Sequence, residues 1–320
     1  AKLLFATIGV SFAFIKVSVY SMIGLFTHSK EEHNSFMSSI EGFFMVGIAS
    51  AYFLFPAFFD AQNHDAWLRV YLLLAGLIAL AFLLLLFSRV DVPIPKNEGS
   101  LKDDFTGMIR LIALPLVLFF VLSAFLFVMV EQGIMTWLPT FNQNVLSLNP
   151  TLSVQMASIL ALSLALGRFV AGQIVKHISW VKLLTLCLLA AMAIVAFVLP
   201  QALTYHSDPI HSVIDIPLIG YVFPLIGLFI SPVYPLISSA TLSALPQRMH
   251  SAMTGMIVIF SALGGTLGSR IIGMLFEHVG GAQAFYFMIV PITLLIITLW
   301  LLDRSINRYE AAHPVEQQAG

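Results

Sequence analysis

The chain has 320 residues, of which 59% are hydrophobic and 10% charged, whereas a soluble domain carries about 25% charged residues. Its 15 basic and 16 acidic side chains cannot clothe a water-soluble body of this size, and a net charge of −1 gives no hint of a nucleic-acid partner. The single cysteine, Cys187, lies in an apolar run, which rules out an internal disulfide and a thiolate zinc site.

A bilayer core of about 30 Å takes roughly 20 apolar residues of helix to cross, and nine stretches meet that length. The first, 3–26, has no small-residue cleavage site and so reads as a span rather than a signal peptide. The chain starts at Ala1 without Met, already in this apolar run, which suggests a piece of a longer or processed chain. Lys16 falls near the middle of the span. A charge there costs at least about 2.5–3.5 kcal/mol, so it should face a cavity or a partner and is a candidate solute-binding or counter-ion lysine. The second span is 36–59, and Glu41 near its start reads as a solvated end residue. The third is 67–87. The connection after it, 89–106, alternates Arg89, Asp91, Lys96, Glu98, Lys102, Asp103 and Asp104 and reads as a cytoplasmic central loop.

The fourth stretch, 107–141, is long for one span, and Pro139 is expected to kink or end its helix. It holds Glu131, a candidate proton acceptor, because a carboxylate in low dielectric can take up and release a proton during transport. The fifth, 152–175, contains Arg168, which reads as ending the span at the cytoplasmic face, where a snorkelling arginine is common. Gly167 and Gly172 beside it allow close helix approach. The sixth is 181–201. In the loop beyond it, His206, Asp208, His211 and Asp215 mimic metal spacing but lack a common helix face, so no metal is expected. The seventh, 216–243, is interrupted by Pro232 and Pro235 and carries Tyr234. The eighth is 252–276, with Arg270 near its outer end and able to snorkel to the interface. The ninth, 282–302, leads into a tail, 303–320.

Basic residues orient the chain. Eleven lie in connections on one side and three, Lys2, Arg69 and Arg270, on the other, with Lys16 inside a span. The richer side is cytoplasmic and includes the C-terminus. A faint internal repeat joins the second and eighth spans: His33 matches His250, Met37-Ser38 matches Met253-Thr254, and Phe59-Asp60 matches Phe276-Glu277.

Three stretches carry a resemblance to a known family. Glu131-Gln132-Gly133-Ile134-Met135-Thr136-Trp137-Leu138 resembles a seventh helix in which a carboxylate shortly precedes a Ser/Thr-Trp pair. Gly167-Arg168-Phe169 with Gly172 resembles a Gly-Arg signature of the eighth helix. Tyr234-Pro235 and Gly264-Gly265 are similar to parts of the tenth and eleventh helices. Together they resemble the fucose permease group of the major facilitator superfamily, the sugar–proton symporters. At Lys16 the chain has a cation where that group often has a carboxylate. The resemblance implies an all-α membrane protein of the major facilitator fold, with two pseudo-symmetric helix bundles and nine helices present of an expected ~12. Residues 1–88 would be the remainder of the N-terminal bundle, 89–106 the central loop, 107–302 the C-terminal bundle, and 303–320 a cytoplasmic tail.

The implied function is secondary active transport of a small polar solute, a sugar, coupled to protons and without a cofactor. The alternative is a drug or organic-ion exporter of the same fold. Lys16, Gln132, Trp137 and Tyr234 would contact the solute, Glu131 would carry the proton, and Arg168, Gly167 and Gly172 would gate. The implied setting is lipid, as a monomer in a bacterial inner membrane. No phosphate-cradling glycine motif points to an ATP-driven pump, and no Ser-His-Asp arrangement points to an enzyme.

Overall fold

The computed structural model describes residues 2–26, 30–58, 66–88, 109–204, 210 and 212–313. Among them, nine helical segments are long and apolar enough to cross a membrane. They are α1 (Lys2–Phe26), α2 (Lys30–Leu54), α3 (Val70–Phe87), α4 (Pro115–Asn144), α5 (Pro150–Ile174), α6 (Trp180–Leu203), α7 (Leu218–Ala244), α8 (Gln247–Val279) and α9 (Gly281–Ala312). The expected loop at 89–106 lies outside the described residues, as do His206, Asp208 and His211, while Asp215 is exposed.

Local signals set the helix ends. Pro115 and Pro150 occupy first-turn positions, where a missing N–H costs nothing. The Asn149 side chain accepts the Leu152 N–H at 2.9 Å and caps α5. Between α8 and α9 the backbone turns through Gly280, at φ 92° and ψ 163°, a conformation that is essentially glycine's own.

Several boundaries differ from the sequence reading, most of all in α4 and α9. α4 begins at Pro115 rather than 107 and continues through Pro139 to Asn144. The turn after Pro139 is held by Phe141, fully buried with its ring 5.5 Å from Phe223 and 5.4 Å from Phe285. Packing by neighbouring helices can sustain a helix past a proline. α9 runs to Ala312 rather than ending at 302, because hydropathy marks where the bilayer ends and not where the helix does; Ile306 still packs on the core.

α7 is broken. A 3₁₀ turn at Phe223–Leu225 contains Pro224, and the helix breaks again at Ser231 and Pro232 before resuming as Val233–Ala244. Tyr234 therefore stands immediately after a break.

The core lies among α4 to α9, and α8 packs closely on α4. That approach needs glycine: a Cβ at Gly264 or Gly268 would meet the Phe125 or Met129 carbonyl oxygen. α2 lies along α5, and α1 touches α8. Most of α1 and nearly all of α3 expose leucine, isoleucine and phenylalanine, as a lipid-facing surface does.

Candidate functional site

Four ionisable side chains from four helices converge near the middle of the bundle. Arg168 of α5 is the hub and is only 2% exposed. Its Nη1 donates to the Glu41 carboxylate at 2.9 Å and to the Glu41 backbone oxygen at 3.1 Å. Its Nη2 donates to Glu131 Oε1 at 3.0 Å. Glu41 belongs to α2 and Glu131 to α4, and they are 5% and 6% exposed. The guanidinium fork thus ties three helices with charge-assisted bonds, the use for which arginine suits better than lysine.

Lys16 of α1 completes the set. Its Nζ lies 3.8 Å from Glu41 Oε1, on the side away from Arg168. It is ringed by Phe12, Tyr20 and Tyr234, with centroids at 5.8, 5.3 and 4.9 Å, within cation–π range. Tyr234 is buried, its hydroxyl neighbours Lys16 and Ser261, and its ring is 6.0 Å from that of Phe127. Two cations face two carboxylates, so the cluster is neutral in sum. Removing any one member would strand a buried charge.

Local sequence explains why each group points inward. Phe12, Lys16 and Tyr20 are spaced by four and share one face of α1. Met37, Glu41, Met45 and Ala49 repeat by four along α2, and all four are buried. Gly167 lets α5 settle on α7: a Cβ there would strike the Leu228 carbonyl oxygen and the Ser231 hydroxyl. That contact carries Arg168 inward.

Two readings of the sequence are corrected here. Glu41 is not a solvated end residue but a buried partner of both cations. Arg168 does not end its span or snorkel; α5 continues to Ile174, which puts Arg168 about 9 Å inside at 1.5 Å per residue. Hydropathy could not detect either, since a charge near the end of an apolar run is usually free to reach water. For Glu41 the available signal was the fourfold spacing of Met37, Glu41 and Met45, and for Arg168 the resemblance at Gly167-Arg168-Phe169.

Of the expected site residues, Lys16, Glu131, Arg168 and Tyr234 are brought together. Gln132 and Trp137 stand instead on the α4–α8 interface. A Cβ on Gly265 would lie 3.0 Å from Gln132 Cγ. The Trp137 indole N–H donates to the Ser269 carbonyl at 2.7 Å, and its ring stacks on Phe276 at 5.3 Å. Gly172, unlike Gly167, serves no close approach: a Cβ there meets nothing within 4 Å among the described residues. Arg270 is exposed, as a snorkelling residue is. Between α1 and α2 a groove opens onto the cluster. Lys16 and Glu41 line it with apolar neighbours that include Phe12, Ile15, Ile40 and Phe44.

A many-span helical bundle with a balanced charge cluster at its heart is the architecture of a membrane transport protein. The chain belongs to the Major Facilitator Superfamily, which it matches over residues 3–269. Its fold is similar to two structures of FucP. One is a point variant of the E. coli fucose:proton symporter, at 15% identity and TM-score 0.66, covering 90% of this chain and 73% of that one. The other is described as a Major Facilitator Superfamily transporter in the outward conformation, at 15% identity and TM-score 0.66, covering 90% of this chain and 72% of that one. The comparison with curated proteins gives no match.

Proposed function

We propose that this transporter is a proton-coupled symporter of a small polar solute, a sugar, working by alternating access about the Lys16–Glu41–Arg168–Glu131 cluster. The observation that carries the reading is the convergence of these four charges from α1, α2, α4 and α5, since buried ionisable groups within spans mark solute and proton pathways. The likeness in fold to a fucose:proton symporter supports it.

In this reading Lys16 and Tyr234 contact the solute, and Glu131 carries the proton. Arg168 holds α2 to α4 and α5 in one state, and exchange of its carboxylates frees α2 in the other. Gly167, where α5 lies against α7, is the point about which that motion runs. Gln132 and Trp137 brace α4 against α8. Residues 1–88 and 107–302 act as two bundles joined by 89–106. The excess of basic residues on one side supports a cytoplasmic C-terminus; the reading takes the protein as a monomer in a bacterial inner membrane.

Coupling arises because solute binding and protonation of Glu131 favour the same reorienting state. The test is external pH during solute addition to vesicles holding the full chain. One sugar of a panel should alkalinise the medium, and Glu131→Gln should abolish that response while keeping solute exchange. Pumping by Glu131→Gln with unchanged pH dependence would sink the assignment.

A further inference from the structure

We infer that the solute is a sugar acid carrying one carboxylate, which binds Lys16 and enters together with one proton in an electroneutral step. The inference rests on the reading of the cluster as the solute site and adds to it the charge of the solute.

The two cations are held unequally. Arg168 is tied to two carboxylates at 2.9 and 3.0 Å, its side chain is 1% exposed, and the one nitrogen left without a partner among the described residues, Nε, is buried away from the groove's lining. Lys16 sits at 3.8 Å from a carboxylate it shares with Arg168, beyond hydrogen-bond length, and its side chain is 19% exposed. An ammonium has three donors to satisfy. Tyr234 stands beside it, and the remaining neighbours, Phe12 and Tyr20, are rings that offer a face and no anion. Lys16 is therefore the cation with capacity left, and it lines the groove.

The walls of that groove are apolar and offer a surface on which the C–H face of a sugar ring can lie. The Phe12 and Phe44 rings pack on each other with centroids 5.9 Å apart and form one apolar wall, beside Ile15 and Ile40. Apolar walls with a few placed polar groups are the usual form of a small-molecule site. One ammonium matches a monoanion. A phosphate dianion would call on a second cation, and Arg168 is already occupied.

Charge balance supplies the stoichiometry. The groups facing Glu131 are Arg168, Glu41 and Lys16, with Tyr234 beyond Lys16. With both carboxylates ionised the cluster is neutral. A proton on Glu131 alone leaves one positive charge unbalanced in the membrane interior, and a bound monoanion alone leaves one negative charge. Both together restore neutrality, so each ligand favours binding of the other. The proton comes from the outer solution, bonds to a Glu131 oxygen, and leaves on the inner side. No covalent bond of the solute changes.

The experiment pairs acids with their neutral counterparts: galacturonate and glucuronate against galactose and glucose. Binding is measured on the purified full chain, and uptake in proteoliposomes under an inward proton gradient with the potential clamped at zero or inside-negative. At least one acid should bind about tenfold or more tightly than its neutral partner, as a charge-assisted contact gives. Its uptake should be unchanged by the potential. Lys16→Gln should erase the preference and Lys16→Arg should keep it. Equal or tighter binding of the neutral sugars by the native protein, or acid uptake that follows the potential, overturns the inference while leaving sugar symport intact. If no sugar or sugar acid binds to protein shown to be folded, symport of a sugar falls and this inference falls with it.

Discussion

Replacing Arg168 by methionine tests the charge cluster most directly. Arg168 is 2% exposed, and its side chain makes three hydrogen bonds, two to Glu41 and one to Glu131. Methionine fills comparable volume, so packing changes little and the lost charge dominates. Two buried carboxylates would then share Lys16 alone. Removing one partner of a buried ion pair costs about 3–5 kcal/mol, chiefly from the uncompensated charge left behind. Adding Glu131→Gln leaves Lys16 and Glu41 as a balanced pair 3.8 Å apart. The double variant should therefore be more stable than Arg168→Met alone, and the two substitutions should be non-additive by about 1–3 kcal/mol. The assay is unfolding of purified protein in mixed micelles by denaturing detergent, followed through tryptophan fluorescence, for the native protein, both single variants and the double. A double variant no more stable than Arg168→Met, or Arg168→Met as stable as the native protein, would refute the argument that the four charges act as one neutral unit.

Other variants separate packing from chemistry. Gly268→Ala should lose about 1–3 kcal/mol, because its Cβ would meet the Met129 carbonyl oxygen; Gly76→Ala, in open space on α3, should be neutral or gain about 0.5–1 kcal/mol, both read by the same unfolding assay. Trp137→Phe should cost about 1 kcal/mol by losing the bond to Ser269 while leaving solute KM unchanged; a raised KM at native stability would place the indole at the solute instead. Tyr234→Phe should weaken solute binding several-fold with little loss of stability, since the ring remains against Phe127, and an unaltered affinity would remove Tyr234 from the site. Uptake by the native protein should rise as the outer pH falls, whereas the profile of Glu131→Gln should be flat.

Nine spans were legible in the linear chain, because crossing a bilayer demands a run of apolar residues whatever else the helix does. The break in α7 was legible too, since Pro232 lacks the N–H that a continuous helix needs. Lys16 and Glu131 stood out by the same logic, as charges deep inside apolar runs. What hydropathy could not decide was the fate of charges within a few turns of a helix end. Glu41 and Arg168 could equally have reached water, and what holds them inside is their encounter, nearly 130 residues apart in sequence, at 2.9 Å. Nor could it tell Gly167 from Gly172, identical in kind and one turn and a half apart, of which one lies against a neighbouring backbone and the other has no neighbour within 4 Å of its Cβ position among the described residues. Insertion into the membrane is a property of each helix alone and is therefore written locally. The charge cluster is a property of helices meeting, so it exists only once side chains from α1, α2, α4 and α5 share a low-dielectric interior in which none can remain unpaired.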